Sequence, residues 1–446
     1  MNRLTDFPYQ HILVLGLAKS GTAAAKLLLQ NQFKVRVNDI RPNEEHVETL
    51  KKMGAEVITG SHPLSVLDDI EIIVKNPGIP YDNVVIEEAQ KRNIPIITEV
   101  ELAWKLVDQP IIAITGSNGK TTTTTLIGEM LRKSKQPVQV AGNIGQVAVE
   151  IAANLQANEK MVLELSSFQL LGIESFKPNI AVILNIYEAH LDYHKTFANY
   201  QEAKWRIFKN QTAEDYLIYN ADDPHLQQAI QEAKATLIPF STKRRLNNGI
   251  WANEHSIYDR DKKLIDRSDI VLVGQHNLEN ILAAIGAAKL AGATHDGIVD
   301  VLTSFAGVKH RLEFVANINE RLFYNDSKAT NILATQKALQ SFNQPTILLA
   351  GGLDRGNDFD DLIPYLAKVK MMVVFGETAE KLRLLGKQVN IKTIHVEDVK
   401  EAVKVAFQHS NQGDVILLSP ACASWDQYRT FEERGDMFVH TVHTLK

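Results

Sequence analysis

Residues 113–122 read Ala-Ile-Thr-Gly-Ser-Asn-Gly-Lys-Thr-Thr, the residue types of a phosphate cradle. An apolar run from Ile111 to Ile114 enters it, and a segment with Leu126, Ile127, Met130 and Leu131 at helical spacing leaves it. Gly116 and Gly119 let backbone N–H groups turn inward without a Cβ in the way, and the positive end of the following helix adds to the field on an anion. In this reading Gly116, Ser117, Asn118, Gly119, Lys120, Thr121 and Thr122 wrap a nucleoside triphosphate. Lys120 reaches the terminal phosphates as a point charge, and the Thr121 hydroxyl touches Mg²⁺. Ile114 stands where the strict Walker pattern has glycine, so the loop is a shorter variant. The alternative is an ordinary glycine turn between strand and helix.

Further side chains could complete such a site. Glu164 ends the apolar run Met161-Val162-Leu163, and a carboxylate there is costly to bury unless it binds a cation, which makes it an Mg²⁺ candidate. The bland alternative is an edge-strand Glu facing solvent. His190 follows the run Ile180 to Ile186, at the strand end where α/β proteins collect ligands. A metal ligand and a structural histidine both fit that place. Lys204 lies on the helical stripe formed by Tyr200, Ile207 and Phe208 within Ala198 to Asn210. A lysine there either snorkels or serves the site. Asn143, in the glycine turn Ala141 to Gly145, meets a ligand or merely makes the turn.

The elements that must hold these residues alternate strand and helix, an α/β pattern with mostly parallel sheets. Three regions are expected: 1–107, 108–308 and 309–446. In the first, His11 to Leu15 leads into Gly16-Leu17-Ala18-Lys19-Ser20-Gly21, and a second strand from Lys34 to Asn38 ends at Asp39-Ile40-Arg41. Two glycines after a first strand and an acid after the second resemble a dinucleotide-binding crossover, without its Gly-x-Gly-x-x-Gly fingerprint. A bound diphosphate and a structural turn both remain open. In the second region the stretch Asn247 to Arg267 is polar and rich in turn residues. The stretch Gly274 to Asn280 then opens a helix, with Asn277 as a candidate cap and Gly292 suited to its end. The third region has strands near Thr346, Met371, Ile391 and Val415, with polar clusters at Tyr324 to Asn331, Gly351 to Gly356 and Ser419 to Asp426 on strand ends.

The chain has 446 residues, a formal net charge of −5 and a pI near 6.3, which argues against a generic nucleic-acid or anionic-membrane binder. A single cysteine, Cys422, excludes an internal disulfide framework. The first ten residues are too polar for a signal peptide, and no run reaches the roughly 18 apolar residues of a membrane span. A cytoplasmic, enzyme-sized protein is the expectation.

Thr115 to Thr121, His276-Asn277-x-x-Asn280, His310-Arg311 and Asn325 to Asn331 follow one another along essentially the whole chain. In that order they resemble the Mur ligase family of peptidoglycan synthesis. Asn325 to Asn331 and Ser419 to Asp426 are similar to the branch that adds D-glutamate. The Asp-Asn-Pro-Arg stretch of the third-residue ligases and the His-rich motif of the L-alanine ligases are both missing. The resemblance implies an N-terminal Rossmann-like UDP-binding domain, a central P-loop-like ATPase domain and a C-terminal Rossmann-like domain. It implies ATP-dependent joining of D-glutamate to UDP-N-acetylmuramoyl-L-alanine through an acyl phosphate, with two Mg²⁺ ions. By the same resemblance Thr121 and Glu164 hold one Mg²⁺, His190 holds another, and Lys204 is the lysine that CO₂ carbamylates. Asn280, Arg311 and Asp326 would contact the nucleotide; Lys328, Arg355, Ser424 and Phe431 the D-glutamate; and Leu17, Ala18, Asp39, Ile40, Arg41, Gly78 and Asn143 the UDP-substrate. Rival readings are a related ligase for another amino acid, such as a folylpolyglutamate synthetase, a dinucleotide-dependent oxidoreductase and a non-catalytic ATP-binding switch. The oxidoreductase leaves Gly116 to Thr122 unexplained.

Overall fold

The computed structural model describes residues 2–445, which form three open sheets flanked by helices. The first sheet contains β1 (His11–Leu15), β2 (Lys34–Asp39), β3 (Glu56–Thr59), β4 (Ile72–Lys75) and β5 (Ile96–Ile97), in the order β3-β2-β1-β4-β5. All its pairs are parallel, as the alternating pattern requires. Helices α1 (Lys19–Gln30), α2 (Glu44–Lys52), α3 (Val84–Lys91) and α4 (Glu99–Lys105) connect and cover it.

The second sheet is built from β6 (Ile111–Thr115), β7 (Val138–Gly142), β8 (Lys160–Glu164), β9 (Ile180–Ile183), β10 (Tyr216–Asn220), β11 (Thr236–Ser241), β12 (Ile250–Ala252), β13 (Ser256–Asp259) and β14 (Lys262–Asp266). Its order is β14-β13-β12-β11-β10-β9-β6-β8-β7. Strands β6, β8 and β9 are buried almost throughout, the near-continuous apolar run of a parallel sheet covered on both faces. Each fully buried Ile or Leu there contributes about 1.5–3 kcal/mol. Its helices are α5 (Lys120–Lys133), α6 (Ala148–Asn154), α7 (Ser167–Leu170), α8 (Leu191–His194), α9 (Phe197–Trp205), α10 (Pro224–Ala229), α11 (Gln275–Leu290) and α12 (His295–Leu302).

Several local expectations are corrected here. The polar stretch Asn247 to Arg267 holds β12, β13 and β14, paired antiparallel at their hairpins. Trp251 stacks on Tyr258 at 4.3 Å, and Ile257, Leu264 and Ile265 bury an apolar face that turn residues disguise. Strand β9 stops at Ile183 rather than Ile186, because Asn185 turns its side chain to residue 118 instead of continuing the ladder. Helix α9 starts at Phe197, capped by Thr196, and tightens to a 3₁₀ turn at Arg206–Phe208. Helix α11 starts at Gln275, so Asn277 lies inside it and donates to the Val273 carbonyl at 2.7 Å instead of capping.

The third sheet has β15 (Glu313–Ile318), β16 (Arg321–Asn325), β17 (Thr346–Gly351), β18 (Val369–Phe375), β19 (Lys392–His395) and β20 (Val415–Leu418). Its order is β15-β16-β20-β17-β18-β19, parallel except for the β15–β16 hairpin. Helices α13 (Ile332–Leu339), α14 (Ala379–Gln388), α15 (Val399–His409) and α16 (Phe431–His443) complete it. By contacts the chain forms two compact units. One runs to Arg267 and takes in Glu279–Val301; the other holds Ser268–Leu278 and continues from Leu302. The first two sheets therefore share a unit. No helix among the described residues is long and apolar enough to cross a membrane.

Candidate active site

In the first unit, β6 delivers its chain directly into the glycine loop, and Gly119 caps α5 with φ +84°. The positive φ there favours glycine, and a Cβ at this position would lie 2.0 Å from the Asn280 side-chain oxygen and have to displace it. That contact also places Asn280 against the loop, in a 3% exposed position. Ser117 and Asn118 donate their N–H groups at 2.9 Å to the carbonyl and side-chain oxygen of Asn185, so both residues shape the loop. The Ser117 hydroxyl meets the Tyr200 hydroxyl at 2.9 Å. Lys120 folds its ammonium onto the carbonyls of Gly116 and Ser117, at 2.9 and 3.1 Å. Thr121 and Thr122 form the first turn of α5, where the helix field favours an anion.

Glu164 ends β8, an internal strand, and is 2% exposed; the edge-strand alternative is excluded. Its Oε1 accepts from the Asn143 side chain at 3.0 Å, whereas Oε2 is buried without a hydrogen-bond partner. A buried carboxylate oxygen left open in this way suits a cation. Asn143 also donates its backbone N–H to the Glu164 carbonyl, which ties the second glycine turn to the carboxylate.

Lys204 is 2% exposed and donates to the Gly116 carbonyl at 2.9 Å, with Thr115 Oγ1 at 3.4 Å and the Tyr200 ring 4.9 Å away. Burial first and the Lys120 charge second hold its amine well below the usual lysine range, against the pull of Glu164. It is not snorkelling. His190 caps α8 in the left-handed region, φ 54°, with its ring edge-on to Phe168. Partial burial and the Lys204 charge lower its pKa, favouring the neutral imidazole that ligates metals. The structure thus brings Lys120, Glu164, His190 and Lys204 to one end of the β6–β8–β9 ladder, close enough to perturb one another.

The first sheet's turn is braced internally. Asp39 accepts from the Leu17 N–H at 2.6 Å and from the Arg41 N–H at 2.8 Å, so its two oxygens hold both strand ends together. Ala18 caps α1, Ile40 is 47% exposed beside the turn, and Gly78 donates to Asn76 Oδ1 at 3.1 Å.

In the second unit, Asp326 is buried and accepts from Leu312 N–H and Ser419 Oγ, at 3.2 and 2.9 Å. Burial pushes its carboxyl up to about 7, opposed by these bonds and by the Arg311 charge. The Lys328 ammonium lies over the Phe431 ring at 5.5 Å, and Arg355 over Trp425 at 5.0 Å. The Ser424 hydroxyl is buried with no hydrogen-bond partner.

Sequence reading missed several organising residues. Arg434 is fully buried and joins three loops, donating to Ser327 Oγ at 3.0 Å, Ser327 O at 2.9 Å, Cys422 O at 3.0 Å and Gly351 O at 3.4 Å. Its signal was present, since it shares a helical stripe with Phe431, Phe438 and Val442. His194 is buried, bonded to Ser167 Oγ at 2.9 Å and stacked on Phe168; burial and the Lys204 charge lower it to about 4. Asn185 carried no motif, because its role depends on a loop distant in sequence.

Residues 10–98 match the Mur ligase MurD-like N-terminal domain, 114–288 the Mur ligase middle domain and 310–422 the Mur ligase glutamate ligase domain. A protein of Oceanobacillus iheyensis named UDP-N-acetylmuramoylalanine--D-glutamate ligase is 63% identical, covering 100% of both chains. The Bacillus subtilis protein of that name is 53% identical over 98% of each. Among solved structures, UDP-N-acetylmuramate-alanine ligase MurC from Thermotoga maritima shares the fold, with TM-score 0.57 and 20% identity over 98% of this chain and 100% of that one. With a three-domain α/β fold, a glycine loop backed by Glu164 and Lys204, and relatives alike from end to end, the chain belongs to the Mur ligase family.

Proposed function

We propose that this chain joins D-glutamate to UDP-N-acetylmuramoyl-L-alanine at the expense of ATP, in the cytoplasm and as a monomer. Its domains in this reading are 1–107 for the UDP-substrate, 108–308 for ATP and 309–446 for the amino acid. The choice of substrates rests on full-length relatives named as D-glutamate ligases, at 53–63% identity. The chemistry rests on Glu164, whose open buried oxygen stands at the same strand ends as the Gly116–Thr122 loop.

A carboxylate resists an amine in water, so the substrate carboxylate first attacks the γ-phosphorus of ATP, giving an acyl phosphate and ADP. The D-glutamate amine then adds to the acyl carbon, and phosphate leaves from the tetrahedral intermediate. Positioning and charge neutralisation carry such transfers. Lys120 moves from the loop carbonyls to the terminal phosphates, while the Gly119 turn keeps α5 open to them. Thr121, Glu164 and His190 would hold Mg²⁺, which supplies further neutralisation of phosphate charge. The depressed amine of Lys204 suits reaction with CO₂, forming the N–C bond of a carbamate with loss of a proton. That turns an amine into a metal-binding carboxylate where a bare ammonium would repel the metal. Ile40, the Leu17–Ala18 turn, Asp39, Arg41, Gly78 and Asn143 line the UDP-substrate path. Asn280, Arg311 and Asp326 serve the nucleotide, and Lys328, Arg355, Ser424 and Phe431 the D-glutamate, whose carboxylates the two cations pair.

Phosphate release from ATP with UDP-N-acetylmuramoyl-L-alanine tests the assignment. Release that requires D-glutamate, is not supported by L-glutamate and disappears in Lys120→Ala is expected. Release indifferent to the amino acid would reduce the protein to an ATPase.

A further inference from the structure

Lys75 ends β4 with 1% exposure, among the largest fully buried side chains of the protein. Its ammonium donates to the carbonyls of Asn76, Pro77 and Ile79, at 3.3, 3.2 and 2.7 Å, and to the Tyr193 hydroxyl at 3.1 Å. The Tyr193 hydroxyl lies 3.1 Å from the Pro77 carbonyl and 3.0 Å from that of Ile79. The rings of Tyr81 and Tyr193 stand 4.8 and 5.8 Å from the ammonium. Among the described residues Lys75 makes no ion pair, and the nearby Asp82 is engaged with Lys195 at 2.8 Å. A buried cation held by carbonyls, one hydroxyl and ring faces, without a carboxylate, is an expensive device, and none of the motifs accounts for it.

What it holds is the loop from Asn76 to Pro80. That loop forms the wall opposite the first glycine turn: a Cβ at Gly16 would come within 2.8 Å of both Asn76 Cβ and Ile79 Cδ1. Asn76 also donates to Ser20 Oγ in the first turn of α1, at 3.1 Å. On the far side, Tyr193 belongs to α8, the turn that His190 caps. One buried hub therefore touches the wall of the proposed UDP site and the helix that a proposed metal ligand caps.

We infer that Lys75 and Tyr193 are positioning residues that set the Asn76–Pro80 loop for the UDP portion of the substrate. This rests on the reading of the Gly16–Gly21 turn as the UDP site. Burial lowers Lys75 to about 7, so the hub loses a donor as pH rises through neutrality. The groups facing it do not titrate there: burial raises Tyr81 and pushes Tyr193 above its ordinary range, while Lys195 holds Asp82 below the usual carboxylate range.

The test is steady-state kinetics of the full chain and of Lys75→Met with UDP-N-acetylmuramoyl-L-alanine, ATP and D-glutamate. Loss of a charged hydrogen-bond donor of this kind predicts a rise of about tenfold in KM for the UDP-substrate. The kcat and the other two KM values should stay within about twofold, the pattern of lost uniform binding. The parent's KM for the UDP-substrate should climb above pH 7, and that of Lys75→Met should stay flat. Tyr193→Phe, which keeps the ring and removes one oxygen, should raise the same KM by a smaller factor, and it carries the test if Lys75→Met does not fold. Unchanged KM in both variants, or a fall confined to kcat, would overturn the inference while leaving the parent's ligase activity standing. A parent with no turnover of this substrate would instead sink the functional reading, and the inference with it.

Discussion

The side-chain oxygen of Asn280 occupies the space that a Cβ on Gly119 would need, only 2.0 Å from it. Helix α11 thus presses on the capping residue of α5, and the left-handed backbone there adds its own demand. Gly119→Ala should therefore disable the loop rather than perturb it. A fall of about 100-fold or more in substrate-dependent phosphate release is expected, the scale of lost phosphate positioning. Asn280→Ala should relieve part of the clash, so the double variant should recover some binding of ATP measured by calorimetry.

Lys204 gives a second expectation. Its buried amine, held well below the usual lysine range, is the group that would take up CO₂ in the proposed function. Activity should fall in rigorously CO₂-depleted buffer and return with bicarbonate. Lys204→Ala should be inactive, and added short carboxylic acids should restore part of its rate. ¹³C-bicarbonate NMR should give a carbamate signal in the parent that the variant lacks; its absence in an active parent would refute the modification.

How much of this was legible in sequence depends on how locally each constraint is written. The glycine loop, Glu164 at its strand end and Lys204 on its stripe all announce themselves through neighbours within one or two turns. The same stripe logic applies to Arg434, which lies three residues after Phe431 on the buried face of α16. Nothing in the flanking residues marks it as functional, because its partners Ser327 and Gly351 lie on loops far away in sequence. Asn185 and Lys75 were beyond such reading, since their partners are loops carried by other elements. Strands β12 to β14 were hidden by turn residues whose intervening apolar positions are few.

Glu99 supplies a pH prediction. It is 2% exposed at the start of α4, and burial pushes its carboxyl up to about 7, although Gln169 donates to it. Between its ordinary value of 4.5 and about 7 the folded state keeps a proton that the unfolded chain has released. Stability therefore falls as pH rises through that window, with the whole penalty present above it. Glu99→Gln removes the penalty and should be more stable than the parent at pH 8, by on the order of 2 kcal/mol. The gap should close near pH 4.5 in thermal melts; a gap constant with pH would show that the carboxyl does not titrate there.

Ser424 separates binding from folding. Its buried hydroxyl makes no hydrogen bond within the protein, so Ser424→Ala removes no fold interaction. Melting should be unaltered, within about 0.5 kcal/mol. The KM for D-glutamate should nonetheless rise several-fold, the cost of an unmade hydrogen bond to a charged ligand. A large loss of stability with unchanged KM would move this serine from the site to the scaffold.

The loop that Arg434 gathers also holds the chain's one sulfhydryl. Cys422 is 5% exposed, its sulfur lies 3.4 Å from the Thr378 hydroxyl, and burial pushes the thiol up, away from the reactive thiolate. Alkylating reagents should therefore ignore the native protein and label it only when this unit opens. The enzyme carries its own clock for that opening, readable by mass without an introduced probe, and peroxide has little to grip while it stays shut.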